Sequence, residues 1–250
     1  LIQEQNVIAG ITNKILSRFV DIVAVGYKDA EASFSKAKRV VYTGNPVRPD
    51  VLVDTRADGR NYFNLSDDTF TVLIAGGSRG ARTINNAMID VHKHFQGTKG
   101  IKLIHITGDG EYKSVLSQLG ITDGDGLGDS SVILPYLHDM PKALAAADLA
   151  VFRSGAIGLA ELAVRGIPSV LVPYPYAAED HQTYNARIFV QEGAAHMIVD
   201  QMLSAHDLIG EIEMFMANRD LLSQMGERAL QLGKPNAAHD IAKLALSIAK

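Results

Sequence analysis

An α/β fold, a parallel sheet covered by helices on both faces, is what the sequence predicts, and three observations carry the prediction. Short apolar runs alternate with helical patterns at the spacing of strand–helix units. Residues 72–81, Val-Leu-Ile-Ala-Gly-Gly-Ser-Arg-Gly-Ala, read as a buried strand ending in a glycine turn that opens a helix. At 250 residues and 47% hydrophobic, the chain is long and apolar enough to bury one large core or a core and a half.

Taken in order, the first strand falls at 22–25 and a strand-like Arg39-Val40-Val41-Tyr42 follows. Residues 36–68 then change character: Gly44-Asn45-Pro46-Val47-Arg48-Pro49 leads into a polar run, the composition of an interdomain hinge. Beyond it come strand 71–75 with helix 81–95, and strand 102–106 with helix 111–118. The Gly/Asp-rich stretch 123–129 is a surface loop. Strand 132–134 precedes helix 141–147, whose Pro141 suits a first helical turn, and strand 149–152 precedes helix 157–164, closed by Gly166. Strand 169–172, helix 182–191 closed by Gly193 and strand 196–199 complete the alternation. Residues 204–250 hold three helical patterns, the last at 236–248 with Ile241, Leu244, Ala245 and Ile248 on one face, and no internal repeat is present.

Composition removes several function classes. A formal net charge of −4 without a long cationic run argues against a general nucleic-acid binder. The absence of cysteine leaves neither a disulfide framework nor a thiolate metal site. The longest apolar stretch, 143–152, is interrupted by Asp148 and is far short of the roughly 18–20 residues that cross a bilayer. No signal peptide opens the chain, and Leu1 stands where a native start carries methionine, so the chain reads as a fragment.

The glycine turn has the makings of an anion site. Amides of a first helical turn lack intrahelical partners and carry the positive end of the helix dipole, so a phosphate gains charge-assisted hydrogen bonds there. Gly76, Gly77 and Gly80 allow close approach, Ser78 adds a hydroxyl, and Arg79 and Arg82 add charge. Such turns also occur throughout parallel sheets with no ligand. The same residues satisfy Gly-x-Ser-x-Gly, the nucleophile elbow of α/β-hydrolases with Ser78 as nucleophile, although no His-Gly-Gly oxyanion segment lies upstream.

Ligands of open parallel sheets lie beyond the carboxyl ends of the strands. Those ends are Gly76-Gly77-Ser78, Gly108-Asp109-Gly110, Pro135-Tyr136-Leu137, Arg153-Ser154-Gly155 and Pro173-Tyr174-Pro175; two are glycine turns that open helices, so a diphosphate has two helix ends available. Glu161 is the only charge between Ser154 and Val164. A carboxylate near a helix start is stabilised by about 0.3–1 kcal/mol without any ligand. It is also what a ribose diol requires, since its two oxygens accept from two vicinal hydroxyls at about 1.5–3 kcal/mol each. Gln182 and Asn185 have amides suited to sugar hydroxyls, in a segment where Asp180 is also a candidate helix cap. His181 is the one histidine at a strand-end loop and so the local candidate for a base, while Asp123-Gly124-Asp125 has the look of a metal-binding Asp-x-Asp but fails the calcium-loop pattern.

Together, Glu4-Gln5-Asn6, Gly44-Asn45-Pro46-Val47-Arg48, Gly76-Gly77-Ser78-Arg79-Gly80-Ala81, Arg153-Ser154-Gly155-Ala156 with Glu161, Asp180-His181-Gln182 with Asn185, and Lys234-Pro235-Asn236-Ala237-Ala238 occur in the order and spacing of one family. Over essentially its whole length the chain resembles the MurG-type glycosyltransferases of peptidoglycan synthesis. The resemblance implies a GT-B architecture of two Rossmann-like domains. Residues 1–47 would be the end of the N-terminal acceptor domain, 48–233 the UDP-GlcNAc-binding domain, and 234–250 a helix packing back on the first. The implied activity is inverting transfer of GlcNAc from UDP-GlcNAc to undecaprenyl-pyrophosphoryl-MurNAc-pentapeptide, with this chain as the donor-binding part.

By position, the resemblance implies that Asn6 helps hold the donor sugar, Arg48 lies at the cleft, Ser78 meets the diphosphate, and the Leu137 backbone reads uracil. The turn Ala156, Ile157, Gly158, Leu159, Ala160 and Glu161 would cradle phosphate and ribose, and Gln182 would bind GlcNAc hydroxyls. It implies no cofactor and no metal, UDP-GlcNAc being a substrate, and no nucleic acid. It places the catalytic base, and peripheral attachment to the cytoplasmic face of the bacterial inner membrane, in the domain that this chain lacks, so the chain alone is expected to bind weakly and turn over poorly. Departures from the family pattern are Gln3 for a histidine, Arg79 for a glutamine and Gly158 for a hydroxyl residue. Besides the hydrolase, a non-catalytic nucleotide-sugar-binding subunit remains an alternative, and UDP-GlcNAc epimerases share the architecture without the motif spacing.

Overall fold

A computed structural model of the chain describes residues 1–77, 80–122 and 128–249. Its first part is a three-stranded parallel sheet of β1 (Ile2–Glu4), β2 (Val23–Val25) and β3 (Val40–Tyr42), in that order, with α1 (Ile11–Leu16) between the first two strands. Two helices follow, α2 (Pro49–Val53) and α3 (Arg56–Tyr62). The polar run expected to be a hinge is thus helical. Local caps build it rather than apolar periodicity: Pro49 sits in the first turn of α2, and Thr55 and Asp58 exchange reciprocal cap bonds at the start of α3.

The remainder is β4 (Phe70–Ala75), α4 (Arg82–Phe95), β5 (Ile101–Ile106), α5 (Asp109–Leu119), β6 (Ser131–Leu134), α6 (Met140–Ala146), β7 (Leu149–Phe152), α7 (Ala156–Arg165), β8 (Ser169–Leu171), α8 (His181–Gln191), β9 (Ala195–Met197), α9 (Ala205–Ala217), α10 (Arg219–Leu232) and α11 (Ala237–Ile248). The six strands are parallel in the order β6-β5-β4-β7-β8-β9, so the chain reverses its direction of travel between β4 and β7. Alternate residues feed opposite layers. Leu73, Ile104, Ala150 and Leu171 pack against α6, α7 and α8, while Val72, Ile74, Leu103, Val151 and Val170 pack against α4, α9 and α10. Segment α2–α3 is fastened to α6: Lys142 Nζ lies 2.6 Å from Asp54, and a Cβ on Gly59 would stand 2.4 Å from the Lys142 carbonyl.

The two sheets meet through buried side chains. Val7 and Tyr27 of the first part join the core that holds α7 and α8. Asn185, fully buried on α8, accepts from the Val7 amide at 3.0 Å and donates to Asn6 Oδ1 at 3.0 Å. On the far side Lys234 lies over the Tyr42 ring, 4.8 Å from its centroid, as the chain enters α11. Among the described residues no helix is long and apolar enough to cross a membrane.

Candidate functional site

The crevice beyond the carboxyl ends of β4 and β7 is where this topology favours a ligand. There the Arg153 amide donates to the Ala75 carbonyl at 3.4 Å, bringing the two strand ends side by side. A cleft of about 450 Å³ opens above them, lined by Arg48, Gly76, Gly77, Pro135, Tyr136, Leu137, Met140, Phe152, Arg153, Gly155, Ile157, Gly158, Glu161 and Gln182, with Ala75 and Ile106 at its floor. A second cavity of about 640 Å³ adjoins it before the start of α4, lined by Gly80, Ala81, Arg82, Thr83, Glu111, Tyr174, Pro175, Tyr176 and Asp200. The two share Gly76, Gly77, Arg153 and Gln182.

Helix α7 presents the acidic group. Gly155 caps it in an extended conformation, so the amides of its first turn are without intrahelical partners at the cleft. Its 3.6-residue period turns Ile157 and Glu161 to the cleft and buries Leu159, Leu162 and Ala163 in the core. Burial pushes the Glu161 carboxyl above its ordinary value, and the Arg48 guanidinium opposes this. Arg48 is held extended by the following Pro49, and its Nε and Nη2 both stand 3.1 Å from Glu161 Oε1.

Across the crevice, buried Arg153 is fixed on three sides. Its Nη1 donates to the carbonyls of Val172 (3.1 Å) and Pro173 (3.0 Å) and pairs with Asp200, whose other oxygen accepts from the Thr83 hydroxyl at 3.0 Å. The Tyr174 ring lies against the guanidinium at 5.6 Å. Tyr174 in turn anchors Gln182, whose Oε1 accepts the Tyr174 amide at 2.9 Å and so leaves the Nε2 donors for a ligand. Glu179 and Asp180 precede α8 with positive φ of 49° and 54°, a strained entry to the helix that carries Gln182.

Of the predicted site residues, Arg48, Leu137, Ile157, Gly158, Glu161 and Gln182 come together on the first cleft. Ala156 and Leu159 belong to the core, and Ala160 faces a separate cavity beside Tyr27 and Tyr42. Asn6 does not line the cleft; its amide and Nδ2 donate to Glu4 and its Oδ1 accepts from Asn185. Asn185 does not line it either, and its polar atoms are occupied by Val7, Asn6 and the Ser154 carbonyl. Asp180 accepts from the Thr183 hydroxyl at 2.7 Å rather than capping α8 through a backbone amide. His181 and the turn at 108–110 line neither cavity. Ser78, Arg79 and Asp123 to Asp125 lie outside the described residues.

Sequence reasoning gave no role to Arg153 or Asp200. Asp200 follows β9 in a short turn, 47 residues from its partner, with no local pattern to single it out. Sequence reasoning placed Tyr136 at a strand end without giving it a role and passed over Met140 and Phe152, which with it form the apolar wall of the cleft. Chemically, the arrangement offers an apolar slot, an acidic acceptor, two helix starts facing one seam and an amide donor. Among the described residues no group of three or more histidine or acidic side chains is placed to hold a metal ion.

Residues 71–244 match the glycosyltransferase family 28 C-terminal domain. A UDP-N-acetylglucosamine--N-acetylmuramyl-(pentapeptide) pyrophosphoryl-undecaprenol N-acetylglucosamine transferase of Desulfitobacterium hafniense is 42% identical over 249 residues, covering 100% of this chain and 68% of its own length. Transferases of the same name from Desulforamulus reducens (42% identity, 97% of this chain, 66% of the relative) and Acetivibrio thermocellus (40%, 100%, 67%) are similar. The chain therefore spans about two thirds of the relatives it matches. Among solved structures, Acinetobacter baumannii MurG superimposes with a TM-score of 0.76 at 28% identity, covering 99% of this chain and 66% of that one. The UDP-GlcNAc 2-epimerase of Neisseria meningitidis shares the fold, with a TM-score of 0.66 at 14% identity over 94% of this chain and 62% of its own.

Proposed function

Because the chain belongs to the family 28 glycosyltransferases, among the undecaprenol-linked N-acetylglucosamine transferases just described, we propose that it is the donor-binding part of such an enzyme, moving GlcNAc from UDP-GlcNAc to a lipid-linked MurNAc-pentapeptide. The observation that carries this reading is the convergence of Glu161, Gln182, Gly76 and Gly77 on one crevice.

In this reading uracil enters the apolar slot at Tyr136, Leu137 and Met140, and Glu161 accepts from the ribose hydroxyls. The diphosphate lies at the seam of the two cavities, against the first-turn amides of α7 and α4, and the Gln182 Nε2 donors meet the sugar. The acceptor hydroxyl attacks the anomeric carbon as the bond from that carbon to the diphosphate oxygen breaks. Its electron pair passes to UDP, configuration inverts, and the hydroxyl proton goes to a base supplied by the third of the relatives that this chain does not match. Helix dipoles and Arg48 offset charge as it develops on the leaving group. No metal is needed for that stabilisation. The lipid acceptor implies work at the cytoplasmic face of a bacterial inner membrane, in peripheral association.

Incubating the chain with labelled UDP-GlcNAc and a lipid-linked MurNAc-pentapeptide tests the division of labour. Donor binding with little transfer is expected. Transfer at the rate of a full-length relative would contradict it.

A further inference from the structure

Beneath the glycine turn, in an otherwise apolar layer, runs a buried polar chain that the donor site does not touch. Asn85 and His92 are seven residues apart on one face of α4, His105 points at them from β5, and Ser131 opens β6. All four are at least 96% buried. Asn85 Nδ2 lies 2.9 Å from the Thr107 carbonyl, His105 Nε2 3.0 Å from Asn85 Oδ1, His92 Nε2 3.1 Å from His105 Nδ1, and Ser131 Oγ 2.9 Å from His92 Nδ1.

Chemistry gives the chain one direction. The Thr107 carbonyl only accepts, so the Asn85 NH₂ faces it and Asn85 Oδ1 is left to accept from His105 Nε2–H. A neutral His105 then accepts at Nδ1 from His92 Nε2–H, and His92 accepts at Nδ1 from the Ser131 hydroxyl. Each polar atom of the four side chains has a partner in this one arrangement, and successive bonds polarise one another.

The chain ends where the anion site begins. Gly80, at φ +74°, lies so close to Thr107 that an added Cβ would stand 2.0 Å from the Thr107 carbonyl oxygen. Gly80 therefore rests on that carbonyl just before α4, and Gly80, Ala81, Arg82 and Thr83 line the second cavity.

Resting on the donor-site reading above, we propose that His92 and His105, acting through Asn85, are positioning residues for the diphosphate: they fix the Thr107 carbonyl and with it the aim of the amides at the start of α4. They touch no ligand. The uridine end of the site, on α7 and the Tyr136 loop, is served by other elements.

Titrations of UDP and of uridine into the wild type, His105→Leu, His105→Gln and Asn85→Asp decide the point, with circular dichroism to check folding. His105→Leu breaks the chain in mid-course, and Asn85→Asp sets a carboxylate oxygen against the Thr107 carbonyl. Each is expected to weaken UDP about tenfold, the worth of one hydrogen bond, while uridine affinity changes less than about twofold. His105→Gln, which retains one donor and one acceptor, restores UDP binding. If His105→Leu does not fold, the ratio measured for Asn85→Asp decides. With a wild type that prefers UDP, equal losses for UDP and uridine, or no loss of either, would overturn the positioning role alone. A wild type that binds UDP no better than uridine would overturn the donor-site reading and this proposal with it.

Discussion

Glu161 and Arg48, 113 residues apart in the chain, share an ion pair at the mouth of the cleft, the guanidinium Nε and Nη2 both 3.1 Å from Glu161 Oε1. It joins the strand-end helix α7 to the segment that leads out of the first sheet. The carboxylate is buried and its partner half-exposed, so the pair keeps an acidic acceptor charged where burial disfavours the charge.

Glu161→Ala is expected to weaken UDP-GlcNAc by at least about 10- to 150-fold, the loss of one of its charged hydrogen bonds to the ribose being worth about 1.5–3 kcal/mol. Stability should move the other way. A carboxyl whose folded value is raised destabilises the charged native state at neutral pH, so Glu161→Gln should raise the melting temperature of the ligand-free chain while it weakens donor binding. Titration calorimetry and a thermal melt on the same samples check both.

The Arg153–Asp200 pair is expected to act as a buried unit. Removing either partner strands the other charge, and Arg153→Ala or Asp200→Ala should each cost about 3–5 kcal/mol in unfolding free energy. The double variant should cost much less than the sum of the two. Additive losses in urea unfolding would show that the two side chains stabilise the crevice independently.

Much of this was legible in advance. The strand–helix alternation placed the six-stranded sheet, because its strands are buried on both faces and read as apolar runs. The rule for strand ends then brought Glu161, Gln182 and Leu137 to one rim. What sequence could not show was pairing across distance. The resemblance gives Asn6 a place at the donor sugar, and the amide of Asn185 suits sugar hydroxyls, but no local pattern announces that the two bind each other from 179 residues apart. Helices α2 and α3 were hidden for a different reason: they are short, and caps and docking on α6 make them rather than an apolar stripe.

Asn185 is expected to hold the two sheets together. Asn185→Ala removes the acceptor of the Val7 amide and the donor to Asn6, and should cost about 1–3 kcal/mol for buried groups left unpaired. Hydrogen exchange should rise at residues 5–10 while the six-stranded sheet stays protected. Uniform loss of protection would contradict the local role.

The buried histidines predict an acid limb. Burial pushes His92 down to about 4, and burial with the neighbouring imidazole pushes His105 well below its usual value. Folded values below the unfolded value of about 6.5 mean that the stabilisation is complete above that pH and is lost as pH falls below it, for His92 by about 1.4 kcal/mol per pH unit down to about 4, with His105 adding in the same direction. Chemical unfolding from pH 8 to 4 should show this loss, and His92→Gln should make it shallower. A slope unchanged in the variant would contradict the assignment.

The central claim is that one crevice grips a uridine diphosphate sugar. Calorimetric titration of the chain with UDP, UDP-GlcNAc and UDP-glucose tests it most directly. Saturable one-to-one binding of UDP and UDP-GlcNAc, with UDP-glucose rejected and all binding weakened in Glu161→Ala, is the predicted result. Absence of UDP binding, or UDP binding that Glu161→Ala leaves untouched, would contradict it.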